Sequence, residues 1–358
     1  MANSLYRLPA GSRVLVTGAN GFVGSNIIQC LLELGFKVRG VVRSPKPWLD
    51  EMFREKFGED SFESVIVANF KDVDVLAGAM GGVSGLAHVA SDVSFNSDPE
   101  KVITPVVKAT HNVLEAAARY SEIQRVVLTS SSVAVLFPEA DKEGVSVDEG
   151  EFLEQLDLMG STWLMRSSDT WNEEAVRAAW DPNSSPQLKG LFCYAASKTE
   201  GEKAAWKWVE DNKPGFEFNT VLPEFSLGRI LHPEIHGSTM GWVRGLLKGD
   251  TRVFQTYVPQ YFVDVVDIAR LHTAALLDPN TVSQRIFGFA TPLNLTEMVA
   301  IVRKLRPDNT QIPDPPADGH DLTNVIPARK AEKLLRDFYG QPGWTTVENS
   351  IAVGLEGY

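Results

Sequence analysis

The stretch from Arg13 to Leu32 limits what this chain can become more than any other part of it. Val14–Val16 is a wholly apolar run of the kind found in a buried parallel strand. Gly18, Gly21 and Gly24 follow with two residues between each pair, and from Val23 the apolar residues Ile27, Ile28, Leu31 and Leu32 recur at helical spacing. Strand, glycine turn and helix therefore come in the order that a dinucleotide needs. Gly18 allows the tight turn, Gly21 a close backbone approach to a pyrophosphate, and Gly24 the packing of helix on strand. The free N–H groups and partial positive charge of the helix N-terminus complete the cradle, to which Asn20, Phe22 and Val23 belong. The spacing is Gly-x-x-Gly-x-x-Gly rather than the commoner Gly-x-Gly-x-x-Gly.

A second strand, Phe36–Val42, closes on Arg43, with Lys46 three residues on. An acidic residue there would bind the free 2′-hydroxyl of NAD; a cation suits a 2′-phosphate, so the expected cofactor is NADP(H). Arg39, earlier in the strand, is read as structural. A third strand is expected at Phe62–Val67 and a fourth at Gly85–Ala90, whose end near Ala90 approaches the ribose and pyrophosphate. His88 lies inside that strand and reads as a satisfied core histidine. No His or Cys stands at metal-ligand spacing, so no metal site is expected.

A helix at Lys101–Tyr120 and a fifth strand at Arg125–Leu128 lead into Thr129-Ser130-Ser131-Ser132. A polar cluster at the C-terminal end of a parallel strand is where such folds place chemistry. A helical piece, Asp169–Trp180, interrupts a long irregular region, and a further helix runs from Leu191 to about Asn212. Tyr194 and Lys198, four apart, share one face of that helix. A phenol is a weak acid–base group at neutral pH until a neighbouring cation stabilises its phenolate. Lysine supplies that cation, and its donors can also hold ribose hydroxyls. Ser131 fits best as the donor to a substrate carbonyl, with Ser130 or Ser132 as a packing neighbour. The catalytic set is thus Ser131, Tyr194 and Lys198.

The rest of the chain bounds the setting. At 358 residues, 44 % hydrophobic and 22 % charged, it can bury a large core. A net charge of −12 argues against nucleic acid or an anionic membrane as partner. Two cysteines, Cys30 and Cys193, make no disulfide framework, and no apolar run is long enough to span a bilayer. A cytoplasmic location and a monomer or homodimer are expected. The fold class is α/β, a doubly wound parallel (Rossmann) sheet with a smaller C-terminal lobe. The nucleotide-binding domain is placed at 1–223 with an inserted segment at about 149–170. The substrate lobe is placed at 224–358, with about 262–277 returning to the sheet edge and two helices around the Pro-rich loop Pro307–Pro316.

The segments Val-Leu-Val-Thr-Gly-Ala-Asn-Gly-Phe-Val, Leu-Thr-Ser-Ser, Tyr-Ala-Ala-Ser-Lys-Thr-Glu, Asn219-Thr-Val-Leu-Pro and Gly237-Ser-Thr-Met-Gly-Trp are similar to those of yeast and fungal NADPH-dependent aldehyde and carbonyl reductases. These are relatives of dihydroflavonol reductase and the methylglyoxal reductase group, and the spacing of Gly18, Gly21 and Gly24 resembles that of the short-chain dehydrogenase/reductase superfamily in its extended branch. The resemblance spans nearly the whole chain and implies reduction of aldehydes and prochiral ketones. It carries Ser131, Tyr194 and Lys198 as the reacting triad and Arg43 as the 2′-phosphate contact. Backbone at Pro223 and Phe225 would meet the nicotinamide carboxamide. Where relatives place an aspartate against the adenine amino group, this chain has Asn69. Phe95, Glu224, Thr239 and Trp242 would line the substrate pocket, or fill core. One departure stands out: between Asp148-Glu149 and Trp171-Asn172 lie roughly twenty additional residues, among them Trp163 and Met165, as a lid or an interface. Two other readings remain: a sugar-nucleotide epimerase or dehydratase of the same fold, and a non-catalytic NADP-sensing regulator. Arg43 disfavours the first and Tyr194 with Lys198 the second.

Overall fold

The computed structural model describes residues 6–148, 164–167 and 171–358. In chain order these form β1 (Arg13–Thr17), α1 (Phe22–Glu33), β2 (Lys37–Val42), α2 (Pro47–Phe57), β3 (Phe62–Ile66), α3 (Val73–Ala79), β4 (Val83–His88), α4 (Pro99–Ala118) and β5 (Arg125–Thr129). After a single 3₁₀ turn at Ser132–Ala134 come β6 (Val145–Asp148), β7 (Leu164–Ser167), α5 (Glu173–Trp180), α6 (Lys189–Asn212) and β8 (Glu217–Pro223). The remainder is β9 (Phe225–Leu227), α7 (Ser238–Leu246), α8 (Arg252–Thr256), β10 (Gln260–Asp264), α9 (Val265–Leu277), β11 (Arg285–Gly288), β12 (Thr291–Leu293), α10 (Leu295–Leu305), β13 (Asn324–Val325), α11 (Ala328–Tyr339) and α12 (Val347–Gly354).

The chain divides into two compact units. The first comprises residues 1–136, 171–222 and 269–285. Its seven-stranded sheet has the order β11-β8-β5-β4-β1-β2-β3, parallel at each pairing from β3 through β8. The order turns back on itself between β1 and β4, which is where such sheets open a crevice at their carboxyl ends. The strands are buried runs such as Val14-Leu15-Val16 and Val126-Val127. One core joins Leu15, Leu76, Leu86, Val113, Leu114, Val126 and Phe218, closed by Trp206 and Trp208 of α6. A second, small cluster of Val102, Ile103, Ala179, Cys193 and Ala196 locks α4, α5 and α6 together, so Cys193 is a packing residue.

The segment that returns to this unit is 269–285, not 262–277. Residues 260–264 instead form β10, which joins β9 and β12 in a separate three-stranded sheet, and β11 supplies the edge of the large one. Two buried polar side chains tie the returning segment down. Asn219 of β8 donates to the carbonyls of Ala275 and Thr281 and accepts from the amide of Gln284. Arg125, fully buried at the start of β5, donates to the carbonyls of Thr281 and Asp278 and pairs with Glu217 on β8. A short alternating pattern at 260–264 is not distinguishable from an edge strand by periodicity; the anchoring polar residues decide it.

The second unit comprises residues 137–170, 223–268 and 286–358. Besides β12-β10-β9 it holds the small sheet β13-β6-β7. Three helices, α10, α11 and α12, follow β12 where two were expected. α12 spans only eight residues, capped by Thr346 on the amide of Asn349, too short for its periodicity to register. α10 starts with a reciprocal capping box between Asn294 and Glu297. Residues 137–148, read as part of the nucleotide domain, belong here. Most of the insertion at 149–170, Trp163 included, lies outside the described residues; of Met165 only its place in β7 is described. Among the described residues no helix is long and apolar enough to cross a membrane.

Replacing Arg125 by Leu strips donors from the carbonyls of Thr281 and Asp278 and leaves Glu217 with Arg7 as its one remaining ion-pair partner among the described residues. Urea denaturation should show a loss of about 2–3 kcal/mol in unfolding free energy; an unchanged midpoint would contradict the anchoring role.

Candidate active site

Where β1 enters α1 the backbone has no room for side chains. Gly18 takes φ +69°, and a Cβ there would stand 3.1 Å from the amide nitrogen of Ala90. A Cβ on Gly24 would lie 2.2 Å from the Gly18 carbonyl oxygen, inside any tolerable contact. Thr17 fastens this turn to the end of β4: its Oγ1 accepts from the amides of Val89 at 2.9 Å and Ala90 at 3.1 Å. The one proton of that hydroxyl is then left for His88 Nδ1, 2.8 Å away. His88 is therefore neutral with its proton on Nε2. Burial, with the Lys198 charge second, lowers its pKa to about 3, and its ring meets Phe70 edge-on at 5.5 Å. It is the satisfied core histidine that its place in an apolar strand implies.

The N-terminus of α1 carries no side-chain cap at Gly21 and no acidic residue in its first turn. Phe22 is buried, and its carbonyl accepts from Ser25 and Asn26; Asn20 and Val23 are half-buried beside the turn. The cations of β2 divide by function. Arg39 is held by Glu63 at 2.8 Å and by the carbonyls of Ala79 and Gly81. Arg43, exposed just past β2, and Lys46, which precedes α2, have no carboxylate within ion-pair distance among the described residues. An uncapped helix start, a glycine cradle and two unpaired cations fit a dinucleotide with an additional phosphate. Asn69 is exposed, its carbonyl oxygen accepting from Lys71 N at 3.0 Å with one lone pair left over.

The candidate reacting groups Tyr194 and Lys198 sit on α6, which packs against the turn after β5. Lys198 is buried and donates from Nζ to the Thr129 carbonyl at 3.2 Å. Burial lowers its pKa to about 8, with Glu202 opposing. Thr129 is itself fixed through its hydroxyl, 2.7 Å from His272 Nε2. Tyr194, one turn before Lys198, is half-buried, and Phe95 lies on it with ring centroids 4.9 Å apart. Phe95 holds a left-handed φ of 52°, and its carbonyl oxygen would be 2.2 Å from a Cβ on Gly190. Gly190 thus makes space for the 92–98 loop, whose Asp92, Ser94, Asn96 and Asp98 side chains each accept from the amide two residues on.

The serine run also sorts itself. Ser130 donates to Glu202 Oε2 at 2.6 Å, and its amide bonds the Val221 carbonyl. Ser131, extended at φ −162°, caps nothing with its side chain. Asn172 straps the same turn from the other side, donating from Nδ2 to the Val133 carbonyl and from its amide to that of Ala134. Sequence reasoning gave no role to Glu202 or Arg285. Yet Glu202 stands four residues beyond Lys198 on the same helical face, which was the available signal.

The remaining candidates lie in the second unit. Pro223 ends β8, and the Glu224 amide donates to the Gly288 carbonyl at 3.3 Å. Phe225 is buried in β9 with its ring against Tyr257 at 4.7 Å and Trp242 at 6.2 Å. Its side chain is core, so only its backbone is available to a ligand. Thr239 Oγ1 donates to the Ser226 carbonyl, and Trp242 is half-buried on α7. Among the described residues no group of three His, Cys, Asp or Glu side chains is arranged to hold a metal.

Comparison with known proteins follows the geometry. The model of the 3-beta hydroxysteroid dehydrogenase/isomerase family matches residues 15–186. Ketoreductase nvfG of Aspergillus novofumigatus is 42 % identical over 353 residues, covering 98 % of each chain. Aldehyde reductase 2 of Sporidiobolus salmonicolor is 39 % identical over 349 residues, covering 96 % of this chain and 95 % of that protein. The crystal structure of Gre2 from Candida albicans in complex with NADPH superposes with a TM-score of 0.73 at 26 % identity, covering 96 % of both chains. With its glycine turn, its parallel sheet and its Tyr194–Lys198 pair, the chain belongs to the extended short-chain dehydrogenase/reductase family of oxidoreductases.

Proposed function

We propose that the protein is an NADPH-dependent carbonyl reductase that converts aldehydes and prochiral ketones to alcohols. One observation carries the reading: a half-buried phenol, Tyr194, with the buried Lys198 ammonium one helical turn away and the Ser131 hydroxyl at the end of β5. The names ketoreductase and aldehyde reductase on relatives, and the NADPH in the Gre2 structure, support the same class.

When bound, the reduced nicotinamide supplies the hydride. Tyr194 gives its phenolic proton to the carbonyl oxygen as negative charge develops there, and Ser131 donates a hydrogen bond to that oxygen. Lys198 lowers the cost of the phenolate left on Tyr194 and reaches the ribose hydroxyls. Gly18, Asn20, Gly21, Phe22, Val23 and Gly24 hold the pyrophosphate by backbone, Ala90 flanks the ribose, and Asn69 accepts from the adenine. Arg43 and Lys46 take the 2′-phosphate, and this favours NADPH over the tightly held NAD of an epimerase. The backbone at Pro223 and Phe225 meets the carboxamide. Phe95, which overlies Tyr194, is a wall of the substrate pocket; Glu224, Thr239 and Trp242 are the substrate-contact candidates of the second unit.

Three outcomes test this. Tyr194→Phe should cut kcat by about 10²–10⁴ while NADPH binding, read by fluorescence titration, changes little; retention of most activity would remove Tyr194 as the donor. Arg43→Ala should weaken NADPH by about 1.5–3 kcal/mol and NADH hardly at all; equal weakening would remove the phosphate assignment. The pH profile carries a sign: the Lys198 cation, with a pKa of about 8, is present below that pH and lost above it. Reduction should therefore fall as pH rises through about 8, measured as kcat/KM for a ketone; a level profile to pH 10 would contradict the role of Lys198.

A further inference from the structure

The buried carboxylate of Glu202 has more hydrogen bonds than packing alone requires. Its Oε1 accepts from Thr220 Oγ1 at 2.7 Å, Arg285 Nε at 2.8 Å and Trp206 Nε1 at 3.3 Å. Its Oε2 accepts from Ser130 Oγ at 2.6 Å and an Arg285 terminal nitrogen at 3.1 Å. The donors come from α6, β8, β11 and the end of β5. Burial alone would raise the carboxyl pKa, but Arg285 and these bonds outweigh it, and the net shift is downward. Arg285 in turn stacks on Trp171, its guanidinium carbon 4.1 Å from the ring centroid. A buried ion pair is weak evidence for stability, since well-packed apolar residues often do as well. Its placement is more informative: Tyr194, Lys198 and Glu202 follow one another at successive turns of one helical face.

We infer that Glu202, clamped by Arg285, is a positioning residue of the reacting site: it locks Ser130, and through it the Ser131 turn, and sets a negative charge one turn below Lys198. This rests on the reading of Tyr194 and Lys198 given above. With both its hydroxyl and its amide bonded, Ser130 cannot rotate, so the adjacent Ser131 is presented in one orientation. The groups that face Lys198 are Tyr194 and Glu202 on α6, the neutral His88 on β4 and, behind Thr129, His272 on α9, with Arg285 on the far side of the carboxylate. Among these, Glu202 is the anion that favours the protonated ammonium.

Ketone reduction by Glu202→Gln, Glu202→Asp and Ser130→Ala, run beside Tyr194→Phe, tests the inference. Glu202→Gln should lower kcat about tenfold or more, leave the KM for NADPH within about twofold, and move the basic limb of the kcat profile about one pH unit down. Glu202→Asp should bring the limb back. Ser130→Ala should lower kcat about threefold or more without moving the limb. If the unpaired Arg285 cation prevents Glu202→Gln from folding, the double variant Glu202→Gln/Arg285→Gln, which buries no net charge, should still lose about tenfold in kcat. A folded Glu202→Gln or double variant with wild-type kcat and limb overturns the inference, as does a loss confined to KM. Turnover by Tyr194→Phe would instead remove the reading of the site itself; an inactive Tyr194→Phe beside an unaltered Glu202→Gln removes only the role of Glu202.

Discussion

The absence of space at one backbone crossing governs the first unit. A Cβ on Gly24 would stand 2.2 Å from the Gly18 carbonyl oxygen, and a Cβ on Gly18 would stand 3.1 Å from the Ala90 amide nitrogen. Only a glycine turn brings the first turn of α1 this near the ends of β1 and β4. Once there, the helix start is uncapped and free of acidic side chains, and the Thr17 hydroxyl holds the approach with three hydrogen bonds. A phosphate-sized anion is what such a backbone surface is built to accept. The neutral His88 is a by-product of that clamp, which explains a histidine within an apolar strand without giving it chemistry.

Charge allocation then separates scaffold from site. β5 has a cation–anion pair at each end, a buried Arg125 with a half-exposed Glu217 at its start and a pair with both side chains buried past its end. At its start, Arg125 with Glu217 anchors the returning segment 269–285. Just past its end, Glu202 with Arg285 gathers Ser130 and Thr220 beneath the serine turn. The first pair holds the sheet edge; the second lies beside the groups proposed to react. The same logic distinguishes Arg39, saturated by Glu63 and two carbonyls, from Arg43 four residues later, which has no such partners among the described residues.

Much of this was legible in the sequence because local rules and tertiary structure agree there. The glycine spacing, the apolar strands, and Tyr194 with Lys198 at one helical turn each follow from short-range geometry. Ser131 is preferred over Ser130 as the proposed donor from its place alone; the contact that occupies Ser130, with the Glu202 carboxylate, spans 72 residues. Misreadings arose where short apolar runs are ambiguous: 260–264 belongs to a separate sheet, the edge strand is β11, and α12 is too brief to show a period. Phe225 is proposed to meet the cofactor through its backbone, and its ring packs against Tyr257 and Trp242. No local pattern separates a core aromatic from a pocket aromatic, because both need the same apolar surface.

The central claim is that a carbonyl carbon receives hydride while the Tyr194 phenol protonates its oxygen. Isotope transfer reads this directly. NADPH carrying deuterium at the transferable C4 position of its nicotinamide, incubated with the protein and a prochiral ketone, should give an alcohol with one deuterium on the carbinol carbon, and the same incubation with Tyr194→Phe should give almost none. Alcohol formed without deuterium from cofactor labelled in turn on each face, or no alcohol from any aldehyde or ketone offered, would contradict it.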